Sequence, residues 1–230
     1  MAPVQPGRAR AARAESQVQR PPGRATVAPG PPMPFRLGWE PRGVILMRAL
    51  VVYESMYGNT HVVARNIADG LRATHEVTLV PVTEATEELV GTADLLVAGG
   101  PTHMHGMTSA NSRRMAAESA RKEGSGLTMD PAADGPGMRG WLSGLSSRHA
   151  LAAAYDTRLT GSPAFTGRAS RGISRGLRRH GYHLVAKSES FLISKQNTLV
   201  EGEVARARGW GATLGAAARD AVSSSTAKTA

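Results

Sequence analysis

A short run, Ser55-Met56-Tyr57-Gly58-Asn59-Thr60, joins the apolar segment Ala49-Leu50-Val51-Val52-Tyr53 to a stretch from His61 to Leu71. In that stretch Val63, Ile67 and Leu71 recur at i, i+4 and i+8, the spacing of a core-facing helical stripe. A near-continuous apolar strand is buried on both faces, as in a parallel sheet. The order strand, tight turn, helix therefore constrains the chain to an α/β architecture. It also creates a site. The first amides of a helix have no internal acceptor, and the macrodipole there favours negative charge, so a phosphate is well received. Gly58 permits close backbone approach, and Ser55 and Thr60 add hydroxyls. The loop lacks the Gly-Lys-Ser/Thr ending of a P-loop, which suits a phosphate that is held rather than transferred. The plainer alternative is a capped helix after an ordinary turn.

The rest of the chain repeats the alternation. Strands are predicted at Arg48–Tyr53, extending back as far as Val44, then at His75–Val80, Asp94–Ala98, Ala150–Tyr155 and Tyr182–Ala186. Ser188–Ile193 is a candidate extension of the sheet edge. Helical runs fall at Glu84–Val90 with Thr83 or Thr86 as cap, at Ser112–Lys122 with Met115, Ala116 and Ala120 inward, and at Gly167–His180. A last helix runs from about Glu203 to Val222, before a Ser/Ala/Thr tail over 223–230 that is expected to be disordered. Met138, Trp141, Leu142 and Leu145 also sit at helical spacing, after a Gly/Pro/Asp-rich loop at 124–137 that reads as mobile. Strands alternating with helices predict a doubly wound, five-stranded parallel sheet with helices on both faces, a three-layer sandwich.

Composition narrows the chemistry. There are no cysteines, which excludes disulfides, thiolate catalysis and Cys-ligated metal centres. Redox chemistry would have to come from a bound organic cofactor. No apolar run reaches the ~18–20 residues of a membrane span, and no signal-like segment opens the chain, so a cytoplasmic location is expected. The net charge is +10. Residues 1–46 hold seven Arg, two Glu and nine of the fourteen prolines, and such a segment is expected to be disordered. A basic nucleic-acid or membrane-surface arm, or a transit peptide, is an alternative use of it. The preferred reading is an extension upstream of a start at Met47.

From Arg48 to Leu71 the sequence resembles the first βα unit of the flavodoxin-like superfamily. There the pattern Ser/Thr-x-Thr/Tyr-Gly-x-Thr wraps the phosphate of flavin mononucleotide (FMN), and Ser55 to Thr60 match it. A second run, Gly99-Gly100-Pro101-Thr102, resembles the Gly-x-Pro-Thr loop that approaches the flavin ring in this superfamily. The resemblance implies FMN as cofactor, with phosphate contacts from Ser55, Met56, Tyr57, Gly58, Asn59 and Thr60. Ring contacts would come from Pro101, Thr102, His103, Met104, His105 and Gly106, and from a third loop, Asp156, Thr157 and Arg158. Flavodoxins commonly sandwich the ring between Trp and Tyr. The second loop here has neither, leaving His103, Met104 or His105 as covers, while Tyr155 lies beside the third loop.

The implied role is an FMN-binding redox protein carrying electrons to or from a redox partner protein or NAD(P)H. An NAD(P)H:quinone oxidoreductase of the same superfamily is an alternative, although its longer connection before the third strand and its Gly-rich stretch after the fourth are absent. A flavin-free α/β interaction domain is another. His103 and His105 alone make an incomplete metal site. Arg168, Arg171, Arg175 and Arg178 form a basic helical stripe, which would steer an acidic partner or the phosphates of NADPH, or is simply a solvated face. No nucleic-acid-binding module is evident.

Overall fold

The computed structural model describes residues 46–229, with side chains through Ser224. Apart from Leu46, the Pro/Arg-rich extension expected over 1–46 lies outside the described residues. The first half alternates as predicted: β1 (Met47–Tyr53), α1 (Asn59–Leu71), β2 (His75–Pro81), α2 (Glu87–Thr92) and β3 (Leu95–His103). A two-residue β4 (Gly106–Met107) leads to α3 (Ala110–Arg121) and α4 (Gly137–Ser143). The second half holds β5 (Leu151–Leu159), α5 (Pro163–Thr166), α6 (Ala169–Arg179), β6 (His183–Leu184), β7 (Glu189–Ile193) and α7 (Glu203–Thr229).

The sheet order is β2-β1-β3-β5-β6, with β7 also paired to β5 and all of these pairings parallel. β6 joins the start of β5, Leu151 opposite His183, and β7 joins its end, Tyr155 opposite Glu189. The two are one edge strand with a break, so the predicted five-stranded doubly wound sheet is present. Alternate residues of each strand feed two cores. Leu50, Val52, Leu96 and Ala98 pack with α2, α4 and α6, while Val51, Tyr53, Val97 and Tyr155 pack with α1 and α7. α1 and α7 lie very close. A methyl on Gly70 would overlap the Arg208 carbonyl, and one on Gly211 the Ile67 carbonyl. Among the described residues no helix is long and apolar enough to cross a membrane.

Several boundaries differ from the sequence reading. β3 runs on through Gly99-Gly100-Pro101 instead of stopping before them, because β5 continues beside it as far as Pro101 opposite Thr157. β1 pairs β3 only as far as Gly99, so the missing N–H of Pro101 breaks no ladder bond on that side. β5 likewise extends four residues past Tyr155, taking in Asp156, Thr157 and Arg158. α7 stays helical to Thr229, through the tail expected to be disordered. Met115, expected inward, is exposed. The 124–137 segment, read as mobile, is pinned: Asp130 donates its N–H to the Met56 carbonyl (2.8 Å), and Arg113 bonds the carbonyls of Ala133 and Gly135.

Candidate functional site

The carboxyl ends of β1, β3 and β5 open into a cleft of about 310 Å³. In an open α/β sheet a ligand lies beyond these ends, at the point between β1 and β3 where the winding direction reverses. A hollow of about 400 Å³ around Arg148, His149 and His183 is larger, but it borders Leu151 at the start of β5, away from that point.

One wall of the cleft is the turn before α1. Ser55 is buried, and its Oγ accepts the Gly58 N–H at 3.0 Å, closing the turn. Gly58 is the N-cap of α1 at φ +89°, a left-handed conformation that strains any side chain. No side chain caps the helix, and among the described residues nothing accepts from the amides of Asn59 or Thr60. The Thr60 hydroxyl meets that of Thr157 at 2.7 Å, tying α1 to β5. The Tyr57 hydroxyl donates to the Ala116 carbonyl (2.9 Å), and burial raises its pKa.

The second wall is a hairpin rather than an open loop. β3 turns through Met104 (φ 45°) and His105 (φ 72°) into β4, with His103 opposite Gly106. Two residues at positive φ make the turn whose twist matches a hairpin, a geometry usually given to Asn-Gly. Here it carries two full side chains. An isolated bridge from His105 to Gly167 and a bond from the Ala169 N–H to Thr102 Oγ1 (2.9 Å) hold it against the start of α6. His103 lines the cleft, and burial lowers its pKa against the opposing pull of Glu54.

The predicted third loop is strand, and its residues diverge. Thr157 and Arg158 line the cleft. Asp156 does not: it is buried, and its Oδ2 accepts the Ser170 N–H (2.7 Å) at the first turn of α6. Burial is the main cause of its raised pKa. Arg158 donates Nη1 to the carbonyls of Leu159 and Gly161, and burial lowers its pKa. Of the other predicted residues, His105 points into solvent, and Ser55, Gly58 and Gly106 support the cleft without lining it.

Sequence reasoning missed four residues here: Leu159 at the end of β5, Ile193, Asn197 and Glu54. Ile193 and Asn197, from the β7–α7 connection, close the end of the cleft, and Asn59 Nδ2 donates to the Asn197 carbonyl (2.9 Å) and Oδ1 (3.0 Å). No local pattern announces that long-range pair. Glu54 had a signal, a carboxylate directly after five apolar strand residues. It is 2 % exposed and accepts from the Thr108 hydroxyl (2.6 Å) and the Met138 N–H (2.8 Å), with Arg113 Nε 3.5 Å away. It ties the base of the Ser55 turn to both flanking segments.

The sequence model of the flavodoxin family matches residues 51–146, a span that includes the first two walls and stops short of β5. The structure is similar to a flavodoxin from the domain Archaea, with TM-score 0.52 and 16 % identity over 75 % of this chain and 99 % of that one. It is also similar to oxidised flavodoxin 2 from Bacillus cereus, at TM-score 0.51 and 18 % identity over 73 % and 97 % of the two chains. The chain has a flavodoxin-like fold, and its residues 51–146 match the flavodoxin family. No curated protein matches its sequence. Its described aromatics lie mostly in the core of the flavodoxin-like domain: Tyr155, Phe191 and Trp210 meet edge to face at 6.1–6.3 Å. Trp141 is tied to the Ala85 carbonyl. The cleft of this flavodoxin-like protein is walled by Met, His, Leu and Ile, with Tyr57 as its one Tyr or Trp among the described residues.

Proposed function

We propose that this chain binds FMN in the β1/β3/β5 cleft and carries electrons between redox partners. The observation that carries this reading is the uncapped start of α1 opening into the cleft shared with both other predicted segments. The donor set fits a phosphate monoester. The amides of Asn59 and Thr60 lack acceptors, Gly58 keeps the approach clear, and the Thr60 hydroxyl can donate to phosphate while accepting from Thr157. A volume of about 310 Å³ is at the small end for a cofactor pocket, which fits a flavin with one edge left open to a partner.

Each wall then has a task. Pro101, Thr102, His103 and Met104 would contact the ring from one side, and Thr157 and Arg158 from the other. The flavin supplies the electron chemistry; the protein supplies orientation and electrostatics. Arg158 brings a fixed positive charge beside the cleft, which favours electrons added to the ring. Tyr57 is held by Ala116, so the usual aromatic sandwich gives way to thioether, imidazole and aliphatic contacts.

The test is a titration with FMN followed by flavin fluorescence, on the wild type and on Gly58→Val. A β-branched residue at φ +89° costs about 1–3 kcal/mol of strain and relaxes by leaving that conformation. One FMN per chain is expected for the wild type, with affinity at least ~10-fold weaker in the variant and the fold retained. No uptake by the wild type, or equal affinities, would overturn the proposal.

A further inference from the structure

The outer face of α6 carries charge that the fold leaves unpaired. Arg171, Arg175, Arg178 and Arg179 are exposed, and among the described residues none of them joins an ion pair. α6 contains no acidic residue, and its buried face is Ala169, Ile173 and Leu177. Several arginines elsewhere are neutralised: Arg72 and Arg208 by Asp69, Arg114 by Glu118, and Arg206 by Glu189 and Glu203.

This ridge begins at the mouth of the cleft. The Ala169 N–H is bonded to Thr102, which lines the cleft, and Gly167 is bridged to His105. The mouth itself is apolar and open. Met104 is 75 %, Leu159 52 % and Phe165 82 % exposed, and the first two also line the cleft. Met, an aromatic and Arg are the residue types enriched at protein–protein contacts. A nucleic acid would be better served by several stacking aromatics beside the cations.

We propose that the cleft mouth and the α6 ridge together dock an acidic protein, with Met104, Leu159 and Phe165 as the apolar centre and the arginines as a steering flank. That such a partner exchanges electrons rests on the flavin reading above; that it docks here does not. The sign of the charge selects the partner, because a basic protein would be repelled along the whole ridge.

The test uses the full chain, so any contribution from residues 1–46 is common to all samples. A small acidic [2Fe–2S] ferredoxin serves as probe, with basic cytochrome c and a labelled DNA duplex alongside, at low and at physiological salt. The wild type is expected to bind the ferredoxin more tightly than the duplex and not to bind cytochrome c. Combined Arg171→Glu, Arg175→Glu and Arg178→Glu should weaken ferredoxin binding at least tenfold and remove most of its salt dependence. Phe165→Ser should weaken it several-fold with the salt dependence unchanged. FMN affinity, measured on the same variants, should not move, so loss of docking is separable from loss of flavin. Equal ferredoxin affinity in wild type and triple variant, absence of binding, or preference for the duplex would overturn the proposal. If the wild type takes up no FMN, the flavin reading fails and the ferredoxin series still decides the docking.

Discussion

Glu54 sets the geometry around the Ser55 turn from below. Its carboxylate holds Thr108, Arg113 and the Met138 N–H together, three groups that all lie more than fifty residues from it in the chain. Glu54→Ala leaves a hydroxyl, an amide and a guanidinium unpartnered in the interior and should cost about 3–5 kcal/mol, read as a lower urea midpoint. Glu54→Gln keeps one acceptor oxygen and should cost less than half as much. Asp156 behaves differently, because burial raises its pKa from 3.8 and leaves Oδ1 without a partner. A raised folded-state pKa means stability is fully present below the unfolded value and is lost as pH rises through the folded one. Asp156→Asn removes that loss. The variant should match the wild type near pH 3 and melt at higher temperature near pH 7. A constant difference across that range would show that charge is not the cause.

Among the elements, the β3–β4 hairpin and the α1–α7 contact make opposite demands on side chains. Met104 and His105 hold positive φ without being Gly or Asn, at about 1 kcal/mol or more for each. Met104→Asn with His105→Gly should therefore stabilise the domain by about 1–2 kcal/mol, measured by thermal melting. If cleft contacts depend on Met104, the same change weakens FMN binding. At the α1–α7 crossing, Gly211→Ala should cost more than 2 kcal/mol, since the methyl meets the backbone of Ile67 and not a movable side chain. The sequence showed the elements whose pattern is local. The apolar run of β1 and the Val63/Ile67/Leu71 stripe of α1 were legible because burial dictates their periodicity. The far end of β3 was not, because Gly99-Gly100-Pro101 reads as a breaker. In the fold, Gly99 is required where the Tyr155 ring packs over the strand. Asp156 to Arg158 read as a loop for the same reason: polar residues are buried there by α6 and β7, partners that lie later in the chain.

For the whole molecule, the sheet order brings together segments more than a hundred residues apart, and the cleft exists only where they meet. The two resemblance motifs lie along two walls of the cleft. The closing Asn59–Asn197 pair depends on long-range hydrogen bonds that no local pattern encodes. The central claim is that the start of α1 grips a phosphate while the rest of the cleft holds a ring. Comparing the affinities of FMN and riboflavin for the wild-type protein separates these two parts. Charge-assisted bonds are worth about 1.5–3 kcal/mol each, so the two amides and the Thr60 hydroxyl should favour FMN by at least ~100-fold. Equal affinity for the two flavins, or binding of neither, would contradict the account.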